Sequence, residues 1–153
     1  MKRVKHTIGR KDVADFPELE LYNIEVKIDT GAYTSAFHCL EIKETIIDGK
    51  NAIIFKLLDK KHPKFKDKEY VCYNFRQKRV KNTSGSSEMR YVIKTKIKLF
   101  DKEMPIEISL AERGRMKFPV LIGRKLLNGK FIVDTAKYDL SLKQKKTSIK
   151  TNN

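Results

Sequence analysis

One carboxylate stands in a sequence context that suits general acid–base chemistry. Asp29 directly follows an apolar segment, Leu21–Ile28, and precedes Thr30, Gly31 and Ala32. A strand that ends in a carboxylate and then turns through a glycine allows a close approach of the backbone to that carboxylate. A carboxylate held in this way can take a proton from a water molecule and activate it. The same residues also suit an ordinary turn between two strands, so their meaning depends on what else the chain contains.

A second motif lies far downstream. Phe118–Ile122 is a short apolar run typical of a central strand, and it leads through Gly123 into Arg124. The residues Arg124–Asn128 are predicted to form a short helix that ends at Gly129, because glycine readily adopts the backbone conformation of a helix C-cap. The chain therefore contains two motifs in which an apolar strand runs into a glycine-bearing turn.

The remaining pattern is almost entirely that of β-strands. Alternation of apolar and polar residues with a period of two predicts strands with one buried face, most clearly over Met89–Phe100. The other predicted strands are Leu21–Ile28, Tyr33–Ile42, Thr45–Leu58 with a turn at Asp48-Gly49, Tyr70–Val80, Met104–Leu110, Phe131–Asp134 and Tyr138–Leu142. The predicted fold class is all-β, with one domain over residues 1–142 and a basic, disordered tail over residues 143–153.

Two of these strands are predicted to form a long hairpin. The segment between them, Asn82–Ser87, consists of small polar residues and contains Ser84, Gly85 and Ser86, which are typical turn residues. A hairpin with such a tip can close over a bound molecule as a flap. A plain surface hairpin has the same pattern, so the flap role is an interpretation of Ser84, Gly85 and Ser86.

Taken in order, these motifs resemble those of the retropepsin-like aspartic peptidases. That family has a hydrophobic-Asp-Thr-Gly-Ala segment early in the chain, a flap hairpin in the middle, and two hydrophobic residues, Gly and Arg before a late short helix. More narrowly, the sequence is similar to the bacterial and archaeal branch labelled "ATP-dependent zinc protease", whose members accompany ATP-grasp ligases that add glutamates to protein tails. The matching segments, which extend to about Leu142, are Ile8–Lys11, Asp29–Ala36, Val80-Lys81 with Gly85 and Arg90, and Phe118–Leu127.

The resemblance implies an acid-protease fold: a closed β-barrel with a flap hairpin and one short C-terminal helix. It also implies a homodimer, because an aspartic peptidase needs two carboxylates facing one water and this chain has a single Asp-Thr-Gly. The two Asp29 side chains would share a proton, since two like charges close together cannot comfortably both be ionised. The ionised one would act as general base on the water while the protonated one polarises the scissile carbonyl.

The resemblance also assigns roles to the neighbours of Asp29. Thr30 would brace the two catalytic loops across the dimer axis, and Gly31 would let N–H groups approach the carboxylates. Ala32 has no hydroxyl to stabilise the ionised form, which favours activity near neutral pH. Arg124 would pin the active loop by pairing with either a carboxylate or a backbone carbonyl. The branch usually has Arg where this chain has Tyr33, and that departure bears on whether the chain is catalytically active and on its substrate preference.

The charge of the chain bears on its partner. Lys and Arg number 34 against 19 Asp and Glu, a formal net charge of +15, which favours a polyanionic partner. Together with the resemblance, this favours an acidic peptide or a glutamylated protein as substrate. The alternative is a small basic β-barrel that binds single-stranded nucleic acid without catalysis. Its surface would combine a stripe of basic residues with aromatic residues that suit the core equally well. The basic residues are Lys94, Lys96 and Lys98, with Lys78, Arg79 and Lys81 nearby, and the aromatic residues are Tyr70, Tyr73, Phe75 and Tyr91.

Other functional classes receive no support from the sequence. His6, His38 and His62 are widely separated, with neither His-Glu-x-x-His nor Cys-x-x-Cys, so no metal is expected. No cofactor is expected either, because a Gly-rich phosphate loop of the Walker type is missing. Two cysteines and no apolar leader or membrane-spanning segment predict a soluble cytoplasmic protein with reduced thiols and no membrane partner.

Overall fold

The computed structural model describes residues 4–81, 84–112 and 117–151, and most of them lie in β-strands. The strands are β1 His6–Ile8, β2 Lys11–Phe16, β3 Leu21–Ile28, β4 Ser35–Ile47, β5 Lys50–Leu57, β6 Tyr70–Cys72, β7 Phe75–Lys81, β8 Ser87–Leu99, β9 Lys102–Ala111, β10 Val120–Ile122 and β11 Phe131–Val133. The helices are α1 Arg124–Leu127 and α2 Leu140–Thr151. The predicted all-β class is confirmed. Within the described ranges, no helix has both the length and the apolar character needed to cross a membrane.

Six strands close into a ring. β10 pairs in parallel with β3 and antiparallel with β4, so the order runs β10, β3, β2, β8, β9, β4 and back to β10. Each of these strands therefore has a paired neighbour on both sides, which leaves less free edge than an open sheet would have. The interior is filled by large side chains with almost no exposure, among them Phe16, Ile24, Phe37 and Ile108. The predicted closed barrel is confirmed.

The alternation predicted for the lysine-bearing strand is present. In β8 the side chains of Ile93, Ile97 and Leu99 are buried, while Lys94 is exposed. β8 pairs antiparallel with β7 on one side, where Phe75 lies opposite Ile93, and with β9 on the other. This pairing forms the long hairpin that the sequence predicted.

The single strand predicted over Tyr70–Val80 is wrong in one respect. The segment divides into β6, which pairs with β5, and β7, which pairs with β8. Tyr70 accounts for the division because its hydroxyl donates to the carbonyl of Leu19 at 2.9 Å and its ring stacks on Phe55 at a centroid distance of 5.8 Å. These contacts hold β6 beside β5, and the chain must bend before it reaches β8.

The prediction for the end of the chain is also wrong. The strand predicted over Tyr138–Leu142 is absent, and the described part of the predicted disordered tail, residues 143–151, belongs to helix α2. Residues 152 and 153 of that predicted tail lie outside the described residues. Its first turn is held by the buried carboxylate of Asp12, which accepts the N–H groups of Ser141 at 2.9 Å and Leu142 at 3.1 Å. The first N–H groups of a helix lack partners within the helix, so an oxygen supplied from outside stabilises that end. Burial raises the pKa of Asp12.

Helix α2 also covers the weakest seam of the ring. β2 and β8 share a single paired position, Asp15 with Lys98. Lys145 of α2 donates to Asp15 at 3.4 Å and to Asn23 at 2.9 Å. The hydroxyl oxygen of Ser141 accepts the N–H of Phe100 at 2.9 Å. Hydrogen bonds from the helix therefore supplement the few between these strands.

Asp12→Ala is expected to lower the free energy of unfolding by about 1–3 kcal/mol, because it leaves buried N–H groups of α2 without an acceptor. Urea unfolding followed by circular dichroism measures the change. Asp139→Asn is the matched control. It removes a part-buried ion pair with Lys11 at 3.1 Å, worth at most about 1 kcal/mol, together with the repulsion between the Asp139 and Asp12 charges, and it leaves the Asp12 carboxylate in place. Equal losses in the two variants would show that Asp12 does not hold the helix.

Candidate active site

Asp29 lies in a tight turn between β3 and β4. Its N–H donates to the carbonyl of Ile122 at 2.9 Å, which continues the parallel pairing of β3 with β10. The carboxylate oxygen Oδ1 accepts the N–H of Gly31 at 3.0 Å, and the carbonyl of Asp29 accepts the N–H of Ala32 at 3.2 Å. The carboxylate is thus fixed to its own loop by a backbone donor. A side chain at position 31 would crowd it, because a Cβ there would lie 3.3 Å from Oδ1.

The start of α1 is bonded directly to this loop. The N–H of Arg124 donates to the carbonyl of Ala32 at 2.8 Å, and the N–H of Lys125 donates to the carbonyl of Tyr33 at 2.9 Å. These are N–H groups of the first helical turn, which have no partner inside the helix. The loop supplies their acceptors, so the second sequence motif orients the first.

Gly123 permits this approach. A Cβ at that position would lie 2.6 Å from the carbonyl oxygen of Tyr33 and 2.9 Å from that of Ala32, distances that real Cβ atoms do not adopt. Its N–H donates to the buried hydroxyl of Ser35 at 3.0 Å. The backbone of the loop and the backbone before α1 therefore touch, and only glycine fits between them.

The side chain of Arg124 adds a third connection. Its Nη1 donates to the carbonyl of Thr30 at 2.9 Å, and its guanidinium lies 5.9 Å from the centre of the Tyr33 ring. The sequence left two kinds of partner open for Arg124, a carboxylate or a backbone carbonyl, and the structure shows a hydrogen bond to the backbone carbonyl of Thr30. A guanidinium offers five N–H donors in a planar fork, which suits it to bracing a carbonyl-rich loop.

The hairpin of β7 and β8 is connected to the same loop. Lys78 of β7 donates from Nζ to Oγ1 of Thr34 at 3.0 Å. The predicted tip residues Ser84, Gly85 and Ser86 are exposed; Gly85 adopts a φ of 84°, and the hydroxyls of Ser84 and Ser86 lie 3.2 Å apart. The middle of the hairpin is thus fastened to the segment that follows Asp29. Asn82 and Thr83, which belong to the predicted tip segment, lie outside the described residues.

A second charged contact lies at the base of the hairpin. One carboxylate oxygen of Glu107 in β9, Oε2, forms ion pairs with Arg76 of β7 at 3.0 Å and with Lys125 of α1 at 2.5 Å. The hydrogen bond from Lys125 lowers the pKa of Glu107, and Arg76 adds to the effect. A carboxylate that two cations hold in its ionised form links the hairpin to the helix. Glu107 and Lys125 also line a cavity of about 290 Å³, together with Ser35, Lys94, Pro105, Ile106, Leu126 and Lys130.

The structure brings together the residues predicted around Asp29: Thr30, Gly31, Ala32 and Arg124 all belong to one bonded unit. Sequence reasoning assigned no role at this site to Thr34, Ser35 and Glu107, and it placed Lys78 only in the basic surface proposed for nucleic acid. The spacing of Arg76 and Lys78 places them on one face of β7, a signal that was available. Their partners belong to β9 and the active loop, and no local pattern names those.

Most of the aromatic residues of the surface proposed for nucleic acid do not lie on the surface. Tyr70 is buried, and Phe75 and Tyr91 pack against the core with their rings 5.9 Å apart. Of the four aromatic residues, Tyr73 is the exposed one, with 51% of its surface accessible. The core interpretation of these aromatic residues is therefore correct for the other three.

The histidines do not converge into a zinc site. His38 faces Asp59 at 3.9 Å, His62 faces Glu25 at 3.7 Å, and the ring of His6 stacks on Phe100. In the part of the chain that the structure describes, no group of three or more His, Cys, Asp or Glu side chains could hold a metal ion. The described His, Cys, Asp and Glu side chains therefore do not supply the three or four ligands that a zinc ion requires.

The barrel, the clamped carboxylate turn and the hairpin above it define the retropepsin-like class of fold. Its match to a family model covers most of the chain. The chain belongs to the RimB-like family, described as "Retropepsin-like aspartic endopeptidase RimB", which matches residues 7–144. The resemblance seen in the sequence motifs is confirmed.

Similar proteins include curated relatives described as "Probable alpha-L-glutamate ligase". The one from Desulfotalea psychrophila is 35% identical over 136 residues, and the one from Parasynechococcus marenigrum is 33% identical over 134 residues. The matches take in 86% and 85% of this chain but 28% of each relative, so the chain spans little more than a quarter of their length. A crystal structure of Lpg0085 from Legionella pneumophila, a protein of unknown function, has a TM-score of 0.69 and 25% identity, covering 90% of this chain and 99% of that one.

Proposed function

We propose that this chain is an aspartic peptidase that hydrolyses peptide or amide bonds with a water activated between the Asp29 residues of a homodimer. The observation that carries the proposal is the Asp29 turn itself. Its carboxylate is held by the N–H of Gly31, and the turn is clamped by backbone and side-chain bonds from Arg124. Preorganisation of this kind is what a general base needs, because the carboxylate must meet the water without prior rearrangement.

The exposure of the turn supports a dimeric site. One chain supplies one Asp-Thr-Gly carboxylate. Thr30, Gly31 and Arg124 are exposed beside it, and Tyr33 keeps 51% of its surface accessible. A second copy related by a two-fold axis would cover these residues and bring its own Asp29 to the first. Thr30 would then lie at the axis, where its hydroxyl can brace the two loops.

The chemistry follows from two carboxyl groups that share one proton. The ionised Asp29 takes a proton from the water while the oxygen of that water attacks the scissile carbonyl carbon. The protonated Asp29 donates a hydrogen bond to the carbonyl oxygen, which becomes negatively charged as the tetrahedral intermediate forms. Collapse of that intermediate transfers a proton to the leaving nitrogen and releases both products without a covalent enzyme intermediate.

An acidic, glutamate-rich protein tail is the proposed substrate. The chain carries a formal net charge of +15, which attracts polyanionic chains to the whole molecule. The relatives described as glutamate ligases make a glutamate-containing product a reasonable substrate for a chain that resembles part of them. Tyr33, where the branch usually has Arg, does not add a cation to the site.

The experiment is a subunit-mixing assay on a glutamate-tailed peptide. Wild-type protein is held constant and an excess of Asp29→Asn protein is added, so that most wild-type subunits enter hybrid dimers with one Asp29. At roughly ninefold excess, random exchange should lower activity about tenfold, because only wild-type dimers keep both carboxylates. Peptide release measured by mass spectrometry follows the loss.

Asp48→Asn protein is the matched additive for this assay. Asp48 is exposed in the turn between β4 and β5, remote in sequence from the Asp29 turn, and its φ of 49° suits asparagine. Adding this variant should not reduce the rate of the wild-type protein. If excess Asp29→Asn protein also left the rate unchanged, each chain would act alone and the dimeric site would be disproved.

A further inference from the structure

We propose that Lys78 selects the substrate by binding an acidic side chain beside the bond that is cleaved. This inference rests on the proposed peptidase function and identifies a residue that recognises the substrate. It concerns the inner face of the hairpin, which lies against the active loop, and it makes no use of the hairpin tip.

The position of Lys78 is set by two elements. β7 holds it opposite Arg90 of β8, part of the way along the hairpin. Its Nζ donates to Oγ1 of Thr34 at 3.0 Å, and Thr34 lies five residues after Asp29 in the loop that leads into β4. An ammonium group is thus held between the hairpin and the loop that carries Asp29, where the proposed function would place a substrate strand.

The charge of Lys78 is available, unlike that of Arg76 and Arg90 on the same hairpin. Arg76, two residues earlier on the same face, forms an ion pair with Glu107 at 3.0 Å. Lys125 shares that carboxylate, and Arg90 pairs with Glu88 at 2.8 Å. Within the described ranges Lys78 makes no ion pair, and its bond goes to a neutral hydroxyl. The ammonium of Lys78, which contacts the loop at Thr34, therefore has no anionic partner among the described residues.

The bond to Thr34 orients the amine without saturating it. A lysine ammonium has three N–H donors, so two remain for a carboxylate after Thr34 has accepted one. The amine and the hydroxyl are part-buried, and partial burial strengthens a charge-assisted hydrogen bond relative to one in open water. A glutamate or aspartate side chain gains from this arrangement, whereas the isosteric amide of glutamine or asparagine gains much less.

The test measures binding and cleavage separately. Binding is measured by calorimetry on full-length Asp29→Asn protein, with and without Lys78→Met, using a glutamate-tailed peptide and the same peptide with glutamine in the tail. Cleavage of both peptides is measured with Asp29 intact. Lys78→Met should weaken binding of the glutamate peptide about 10- to 100-fold, leave the glutamine peptide within about twofold, and erase the preference in kcat/KM. Lys78→Arg should retain most of the preference.

Two further variants serve as comparisons. Arg79→Met removes one positive charge from the adjacent position, where the side chain lies on the opposite face of β7 and bonds Ser87 at 2.9 Å; it should leave the preference intact. Lys94→Met removes an exposed lysine from the cavity that Glu107 and Lys125 line. If Lys94→Met or Arg79→Met removed the preference and Lys78→Met did not, the assignment to Lys78 would be wrong.

The outcomes also separate this inference from the proposed function. Glutamate-selective binding that depends on Lys78, combined with no cleavage by the wild-type protein, would reject the peptidase and retain the acidic-side-chain site. Cleavage that needs Asp29 but treats the glutamate and glutamine peptides alike would retain the peptidase and reject the role of Lys78. Equal weakening of both peptides by Lys78→Met would also reject it, because that result indicates a purely structural contact.

Discussion

Asp29→Asn should lower kcat/KM for cleavage of a glutamate-tailed peptide by about a thousandfold or more, because it removes the general base that the proposed mechanism requires. The substitution keeps the shape of the side chain. Its amide oxygen can still accept the N–H of Gly31, which now meets Oδ1 at 3.0 Å. The turn should therefore stay in place while the chemistry is lost. Initial rates at several substrate concentrations separate kcat from KM.

The controls for this result exclude an indirect effect. Circular dichroism and urea unfolding should give the same transition for Asp29→Asn as for the wild-type protein. Asp48→Asn, an equal change of charge in an exposed turn, should retain full activity. If instead the chain is a nucleic-acid-binding barrel, Asp29→Asn would change nothing, and affinity for single-stranded RNA would fall steeply with salt. Unchanged peptide cleavage by Asp29→Asn would rule out the aspartic peptidase.

Gly123→Ala is expected to have the largest effect on stability, about 2–4 kcal/mol, because the added methyl group overlaps backbone atoms that cannot move independently. The Cβ would lie 2.6 Å from the carbonyl oxygen of Tyr33. To relieve the overlap, the loop and α1 must separate, which strains the bonds from Arg124 and Lys125 to that loop. Activity should fall with stability, since the Asp29 turn loses its clamp. Urea unfolding and peptide cleavage measure the two effects.

A second glycine distinguishes crowding from backbone strain. Gly49, in the turn between β4 and β5, has a φ of 77° but nothing within 4 Å of an added Cβ. Gly49→Ala should therefore cost only about 1–2 kcal/mol, from the left-handed backbone alone, and leave activity unchanged. Gly123 has an ordinary φ of −97°, so crowding is the whole of its penalty. Full activity in Gly123→Ala would show that the clamp is not needed.

The sequence predicted those parts of the structure whose determinants are local. The alternation in β8 and the glycine at the hairpin tip predicted two strands and their pairing. The residues around Asp29 and Gly123 predicted a strand, a turn and a short helix at the right places. These features depend on side-chain periodicity and on the backbone freedom of glycine, and both can be read within a window of about ten residues.

What the sequence did not predict depends on contacts between distant segments. Helix α2 is polar, and its first turn depends on Asp12, 129 residues before Ser141. Nothing near Tyr138 indicates that acceptor, so the local pattern suggested a strand and a frayed end. The bond from Lys78 to Thr34 joins residues 44 positions apart. The sequence pattern of a lysine on a strand face is the same whether the lysine faces solvent or the loop that carries Asp29.

The single paired position between β2 and β8 determines where the barrel will open locally. Asp15 and Lys98 hold the two strands together at one point, and Lys145 of α2 bridges Asp15 to Asn23 alongside them. Thermal opening of the ring should start at this seam, because it breaks the fewest bonds between strands. A force applied to the end of α2, for example by a domain fused there, would act first on the contact between β2 and β8. Such a force would change how easily these two strands separate, while the geometry of the Asp29 turn stays the same.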